Sequence, residues 1–118
     1  MNYDNNNIFA KIIRAEIPCN KIYEDDFVLS FYDINPQKKI HALVIPKGKY
    51  IDLDDFNTNA SNEEIIGLMK GITTVAKKLG ISSIDGQGYR ALANISDYGG
   101  QEVPHLHFHL FGGEKVGK

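Results

Sequence analysis

The chain carries a single cysteine, Cys19, in 118 residues. An intrachain disulfide is therefore excluded, and one thiol suits a reducing compartment. No apolar run is long enough to span a bilayer. The opening stretch, Met1-Asn2-Tyr3-Asp4-Asn5-Asn6-Asn7, is polar and lacks the apolar segment of a signal peptide, so none is expected. A cytoplasmic location, with no membrane partner, is the default expectation. An excess of basic charge is missing too. Lys+Arg number 13 against 15 Asp+Glu, a net charge of -2, which leaves no footprint for nucleic acid. Lys38-Lys39 and Lys77-Lys78 read as short, solvated pairs. There is no internal repeat and no Pro/Gly/Ser-rich linker, so one domain over residues 1–118 is expected. Its 42% hydrophobic content suffices for a core. Residues 1–6 are expected to be disordered and residues 114–118 to form a short tail.

Histidine is the residue that is present in a pattern. Of the four histidines, His105, His107 and His109 fall in Pro104-His105-Leu106-His107-Phe108-His109-Leu110-Phe111, at strict period two. Leu106, Phe108 and Leu110 take the alternate positions. In a strand, successive side chains point to opposite faces, so the imidazoles share one face and the apolar groups the other. A lone histidine is more often structural than functional. A row of titratable groups is different, because each must be satisfied or it costs stability. Two chemistries suit the row: metal ligation, and acid/base or nucleophilic work. The single cysteine and the lack of a neighbouring Asp/Glu cluster offer no obvious fourth ligand, so no metal is expected. A zinc-binding module stays only as a remote alternative.

The rest of the chain reads as alternating short elements. Asn7 is placed to cap a helix with Ile8, Phe9, Ile12 and Ile13 on its apolar face, stopped by Pro18. Strands are expected at 21–24 and 27–32, around an Asp25-Asp26 hairpin. Residues 33–39 read as a turn with Asn35-Pro36, and 40–45 as a strand. The polar, acidic stretch 47–60 reads as loop. Ser61-Asn62-Glu63-Glu64 has capping-box spacing and opens a long helix over 62–79, with Gly80 as its C′ residue. A strand over 89–94, a glycine-containing loop over 95–104 and a last strand over 105–111 complete the chain. The expected class is α+β, with a five-stranded antiparallel sheet and two helices.

At this point His105-Leu106-His107-Phe108-His109-Leu110-Phe111 resembles the signature of the histidine triad (HIT) family. The flanking Gly99-Gly100-Gln101 and Gly112-Gly113 resemble its Hint branch of nucleoside phosphoramidases, in bacterial form. Ile8-Phe9-Ala10-Lys11-Ile12-Ile13-Arg14 with Glu16-Ile17-Pro18 also matches. So do Phe31-Tyr32-Asp33-Ile34-Asn35-Pro36-Gln37 and His41-Ala42-Leu43-Val44-Ile45-Pro46-Lys47, all in family order. The resemblance implies the HIT fold, and a homodimer that joins two sheets into one of ten strands.

It also implies hydrolysis of purine nucleoside 5′-phosphoramidates, of the AMP-NH2 or AMP-lysine type, through a nucleotidyl-histidine. The partners would be purine nucleoside monophosphate derivatives, without a cofactor. His107 would be the nucleophile, its other nitrogen held by the His105 carbonyl. His109 would donate to a phosphate oxygen, His105 would orient or relay protons, and His41 would couple to the triad. Gly100, Gln101, Glu102 and Val103 in the loop, with Asn94, would meet the phosphate. Glu102 stands where animal members often carry serine, and Pro104 where an aromatic residue is usual. The Asp33 carboxylate would accept from the ribose hydroxyls, and an Asx turn before Asn35-Pro36 is compatible with that. Phe9, Ile12, Ile17, Phe31, Ile34 and Leu43 would wall the base. The competing classes are a nucleotide-binding or scaffold protein without relevant turnover, and a dinucleoside polyphosphate hydrolase.

Overall fold

The computed structural model describes residues 2–117. The chain runs α1 (Ile8–Ile13), β1 (Lys21–Glu24), β2 (Val28–Tyr32), β3 (Ile40–Pro46), α2 (Leu53–Asn59), α3 (Asn62–Lys78), β4 (Arg90–Leu92) and β5 (Phe108–Gly112). The five strands make one sheet in the order β1-β2-β3-β5-β4, antiparallel at every pairing. β3 is central and buried from His41 to Pro46. Strand alternation divides it between two cores. Ala42 and Val44 pack with Phe56, Leu68, Ile72 and Val75 from the two helices that follow. Leu43 and Ile45 pack with Phe9, Leu29 and Phe31 on the opposite face.

Local chemistry sets the helix ends. The Asn7 side chain accepts from the Ala10 N–H at 2.9 Å and starts α1. Ser61 and Glu64 form a reciprocal capping box at the start of α3. Gly80, at φ +74°, ends it. Its N–H reaches the Lys77 carbonyl, and the Ile81 N–H reaches that of Ala76, both at 3.0 Å, the Schellman arrangement.

Three expectations need correction. The stretch read as loop over 47–60 contains α2. Asp52 caps it, accepting from the Asp55 N–H at 2.8 Å, and Asp54 and Asp55 favour the positive end of its dipole. Only Phe56 is buried, so no periodic apolar stripe announced the helix. The last strand begins at Phe108, not 105. Pro104 has no N–H to give, and the Leu106 N–H bonds to the Tyr50 carbonyl at 2.9 Å rather than to a strand. The alternation survives: Leu106 and Leu110 lie in the larger core. The opening residues are held rather than disordered, since the Tyr3 hydroxyl lies 2.6 Å from His105 Nδ1. Met1 and Lys118 lie outside the described residues. Among those described, no helix is long and apolar enough to cross a membrane.

Candidate active site

β3 and β5 lie side by side, with His41 opposite Phe111 and Leu43 opposite His109. This register brings the fourth histidine to the triad. The His41 ring nitrogen Nε2 lies 2.9 Å from His109 Nδ1. The His41 Nδ1 accepts from the Gln37 backbone N–H at 3.2 Å. A neutral imidazole has one donor and one acceptor nitrogen. Since Nδ1 of His41 accepts, its Nε2 carries the proton and donates to His109. His109 Nδ1 is then an acceptor, which leaves its Nε2–H as a free donor.

His107 is set in the opposite tautomer. Its Nδ1 lies 2.8 Å from the His105 carbonyl oxygen, to which only an N–H can donate. Its Nε2 is therefore an unprotonated lone pair. Phe9 stands edge-on to the ring, with centroids 5.0 Å apart, and Phe111 stacks on His109 at 5.7 Å. The site thus presents a bare nitrogen beside a donor nitrogen, each fixed by a backbone group at the end of a short chain of bonds.

Electrostatics keep all four rings neutral near pH 7. Burial pushes His105 down to about 4. Burial, then the neighbouring His107 and His41, push His109 to about 4 as well. Burial lowers His107, partly offset by its bond to the His105 carbonyl and by Asp33 and Glu102. Burial lowers His41 too, opposed by Asp33.

A cavity of about 170 Å³ opens over the His107 and His109 rings, lined also by Phe9, Asp33, Gln37, Leu43, Asn94, Gly100, Glu102 and Val103. Most of the expected site residues therefore meet. Others do not. Ile34 points to solvent and is 87% exposed. Phe31 is buried behind Phe9, at 5.6 Å between ring centroids, and Ile12 packs on the same core. Ile12, Ile17, Phe31 and Ile34 are not among the residues lining the cavity. Gln101 is committed elsewhere: its Nε2 donates to the Ile51 and Val103 carbonyls, and its Oε1 accepts from the Ser96 N–H. Its own backbone N–H is taken by the Ser96 carbonyl. Gln101 thus pins the loop that carries Gly100 and Val103.

His105 is also outside the cavity. Its Nε2–H donates to the Pro46 carbonyl at 2.8 Å, so its Nδ1 accepts from the Tyr3 hydroxyl at 2.6 Å. Both nitrogens are thus engaged and the ring is fully buried, an arrangement that suits orientation. The loop glycines serve the backbone. A Cβ on Gly99 would stand 2.4 Å from the Ile95 carbonyl oxygen, and Gly100 holds φ +76°. Asp33 completes an Asx turn, its Oδ1 accepting from the Asn35 N–H at 2.8 Å, while its Oδ2 lies 3.5 Å from His41 Nε2.

Sequence reasoning missed Gln37 and Tyr3. Gln37 lies within the motif at 31–37, and a turn residue just before a strand histidine is the signal that marks it. Tyr3 offered none.

Asp33, His41 and His109 bring ligating atoms within 4.8 Å of one another. The hydrogen bonds oppose a metal there. A neutral histidine that coordinates through Nε2 carries its proton on Nδ1, which at His41 would face the Gln37 N–H.

Comparison with known proteins identifies the family. The HIT domain model matches residues 14–116. An uncharacterized 13.2 kDa HIT-like protein of Azospirillum brasilense is 50% identical over 115 residues, covering 98% of this chain and 92% of the relative. The purine nucleoside phosphoramidase of Escherichia coli K12 is 44% identical over 110 residues, covering 93% and 89%. Among solved structures, a HIT family hydrolase from Clostridium thermocellum superposes with a TM-score of 0.86 at 37% identity, covering 98% of this chain and 96% of that one.

Proposed function

The chain belongs to the HIT family, and from that premise we propose that it hydrolyses purine nucleoside 5′-phosphoramidates through a covalent nucleotidyl-histidine. One observation carries this reading. The His107 Nδ1 bond to the His105 carbonyl leaves a lone pair on Nε2 at the cavity, next to the donor nitrogen of His109. The lone pair attacks phosphorus as the substrate's phosphorus–nitrogen bond breaks, and the amine leaves with a proton from solvent water, which the hydrolytic water returns in the second step, so one hard displacement becomes two easier ones. His109 Nε2–H meets the charge on a non-bridging oxygen, and Val103 lines the same cavity. Water then cleaves the phosphorus–nitrogen bond to His107. Asp33 on the cavity wall accepts from the ribose hydroxyls, and Phe9 and Leu43 meet the base. The likeness to the E. coli phosphoramidase supports the choice of substrate.

The β4 edge of the sheet supports a homodimer, since a second copy would cover it. A cytoplasmic location remains our reading on the lone cysteine. The deciding experiment gives purified enzyme adenosine 5′-monophosphoramidate, an AMP–lysine conjugate and a diadenosine polyphosphate at equal concentration. Preference for the first two is expected. Preference for the third would move the protein to the dinucleoside polyphosphate hydrolases, and no turnover of any would leave a binding protein.

A further inference from the structure

We infer that Tyr3 is a positioning residue of this site: its hydroxyl holds the His105 ring so that the His105 carbonyl can fix the tautomer of His107. Three bonds in series carry the inference. The Tyr3 hydroxyl lies 2.6 Å from His105 Nδ1. The other ring nitrogen, Nε2, lies 2.8 Å from the Pro46 carbonyl. A carbonyl only accepts, so the Nε2 proton is committed there and Nδ1 is left as an acceptor that needs a donor. Tyr3 is the only partner that the described residues give it. Burial raises the Tyr3 hydroxyl above its ordinary range, which keeps the O–H present as a donor. The ring, pinned at both nitrogens and edge-on to Tyr3 with centroids 5.7 Å apart, has no freedom to turn. The backbone at His105 is fixed with it, and the carbonyl of that residue receives His107 Nδ1–H at 2.8 Å.

Without the hydroxyl, a fully buried acceptor loses its partner. Such a group costs more than the net value of the bond it made. The ring can recover by turning or by moving its proton to Nδ1, and either change gives up the bond to Pro46. The Leu106 N–H bond to the Tyr50 carbonyl still anchors the peptide between His105 and Leu106, but its carbonyl shifts with the ring that it adjoins, and His107 can present N–H instead of a lone pair to the cavity. Tyr3 does not line the cavity, so substrate affinity is not where its loss is felt.

Tyr3→Phe removes the hydroxyl and keeps the ring. Its fold is checked by circular dichroism and thermal melting. Nitrogen–proton correlation spectra of the histidine rings at pH 7 then read the tautomers without any substrate. The signals of His105 Nδ1 and of His107 Nδ1–H are both expected to move, although Tyr3 makes no hydrogen bond to His107. Unchanged His107 signals in a folded Tyr3→Phe protein would overturn the inference. The kinetic arm rests on the proposed phosphoramidase reaction. There kcat is expected to fall roughly five- to fiftyfold, in keeping with one buried acceptor left unpaired, with KM within about twofold. A loss carried by KM alone would also overturn it. Should Tyr3→Phe not fold, fluorinated tyrosines at position 3 keep the hydroxyl and change only its acidity. The His105 Nδ1 signal must then track that acidity, and no trend would reject the inference. A wild-type protein without turnover would reject the proposed reaction and leave the ring signals to decide the role of Tyr3.

Discussion

One hydrogen, shared between His41 Nε2 and His109 Nδ1 across 2.9 Å, sets the proton on both rings. The Gln37 N–H at His41 Nδ1 decides which way it points. A backbone amide in a turn therefore determines which nitrogen of His109 can donate to a substrate.

The depressed histidines make a pH prediction. Each binds a proton less readily folded than unfolded, where the ordinary value is 6.5. Between 6.5 and about 4 the unfolded chain binds more protons, so stability falls as pH falls through that window. Above 6.5 the contribution is fully present. Thermal melts from pH 8 to 4 should show a plateau and then a decline beginning near 6.5. For turnover, the neutral form of His107 should persist below the usual histidine range. Loss of activity centred at or above 6.5 would contradict the burial seen here.

His107 is the proposed nucleophile. His107→Gly or His107→Ala should abolish turnover, a loss of many orders of magnitude, and leave AMP binding and fold largely intact. Labelled substrate, quenched briefly without acid, should leave its label on His107. Label on His105 or His109 would reassign the role.

Asp33 has two jobs that one comparison can separate. The Asx turn with Asn35 would be lost for any ligand. Hydrogen bonds from ribose hydroxyls would be lost only for a ligand that has them. Asp33→Ala should weaken AMP at least tenfold more than a 2′,3′-dideoxy analogue, as about 1.5–3 kcal/mol for a bond to a charged group implies. Equal losses, with a lower melting temperature, would make Asp33 a turn residue alone.

Assembly is read by light scattering. β4 is an edge strand of three residues, and Ile66 and Met69 of α3 are 52% and 46% exposed. A homodimer covering them should scatter as about twice 13.2 kDa at micromolar concentration. A fully active monomer would remove the proposed interface.

Much of this molecule was legible in the sequence because its signals are local. Asn7, Ser61 with Glu64, and Gly80 announce helix ends by chemistry that acts within a few residues. The alternation from Leu106 to Leu110 announces two faces. α2 was not legible, because a polar turn of helix held by Asp52 and a single buried Phe56 looks like loop. The start of β5 was misread because what ends the ladder is the carbonyl of Tyr50, far away in sequence. Ile34 was assigned to the base wall by motif position, yet its side chain meets solvent. Gln101, assigned to phosphate by its place beside two glycines, spends its amide on Ile51, Val103 and Ser96.

Tyr3 and His105 are separated by 102 positions. Closing a loop of that length carries an entropy cost that local hairpins such as β1–β2 avoid. During folding the sheet can assemble from near neighbours while residue 3 is still remote. A chain can then own every strand of its architecture and not yet own its chemistry. Recovery of the proposed turnover after dilution from denaturant is expected to lag recovery of secondary structure, by the time residue 3 takes to dock on residue 105.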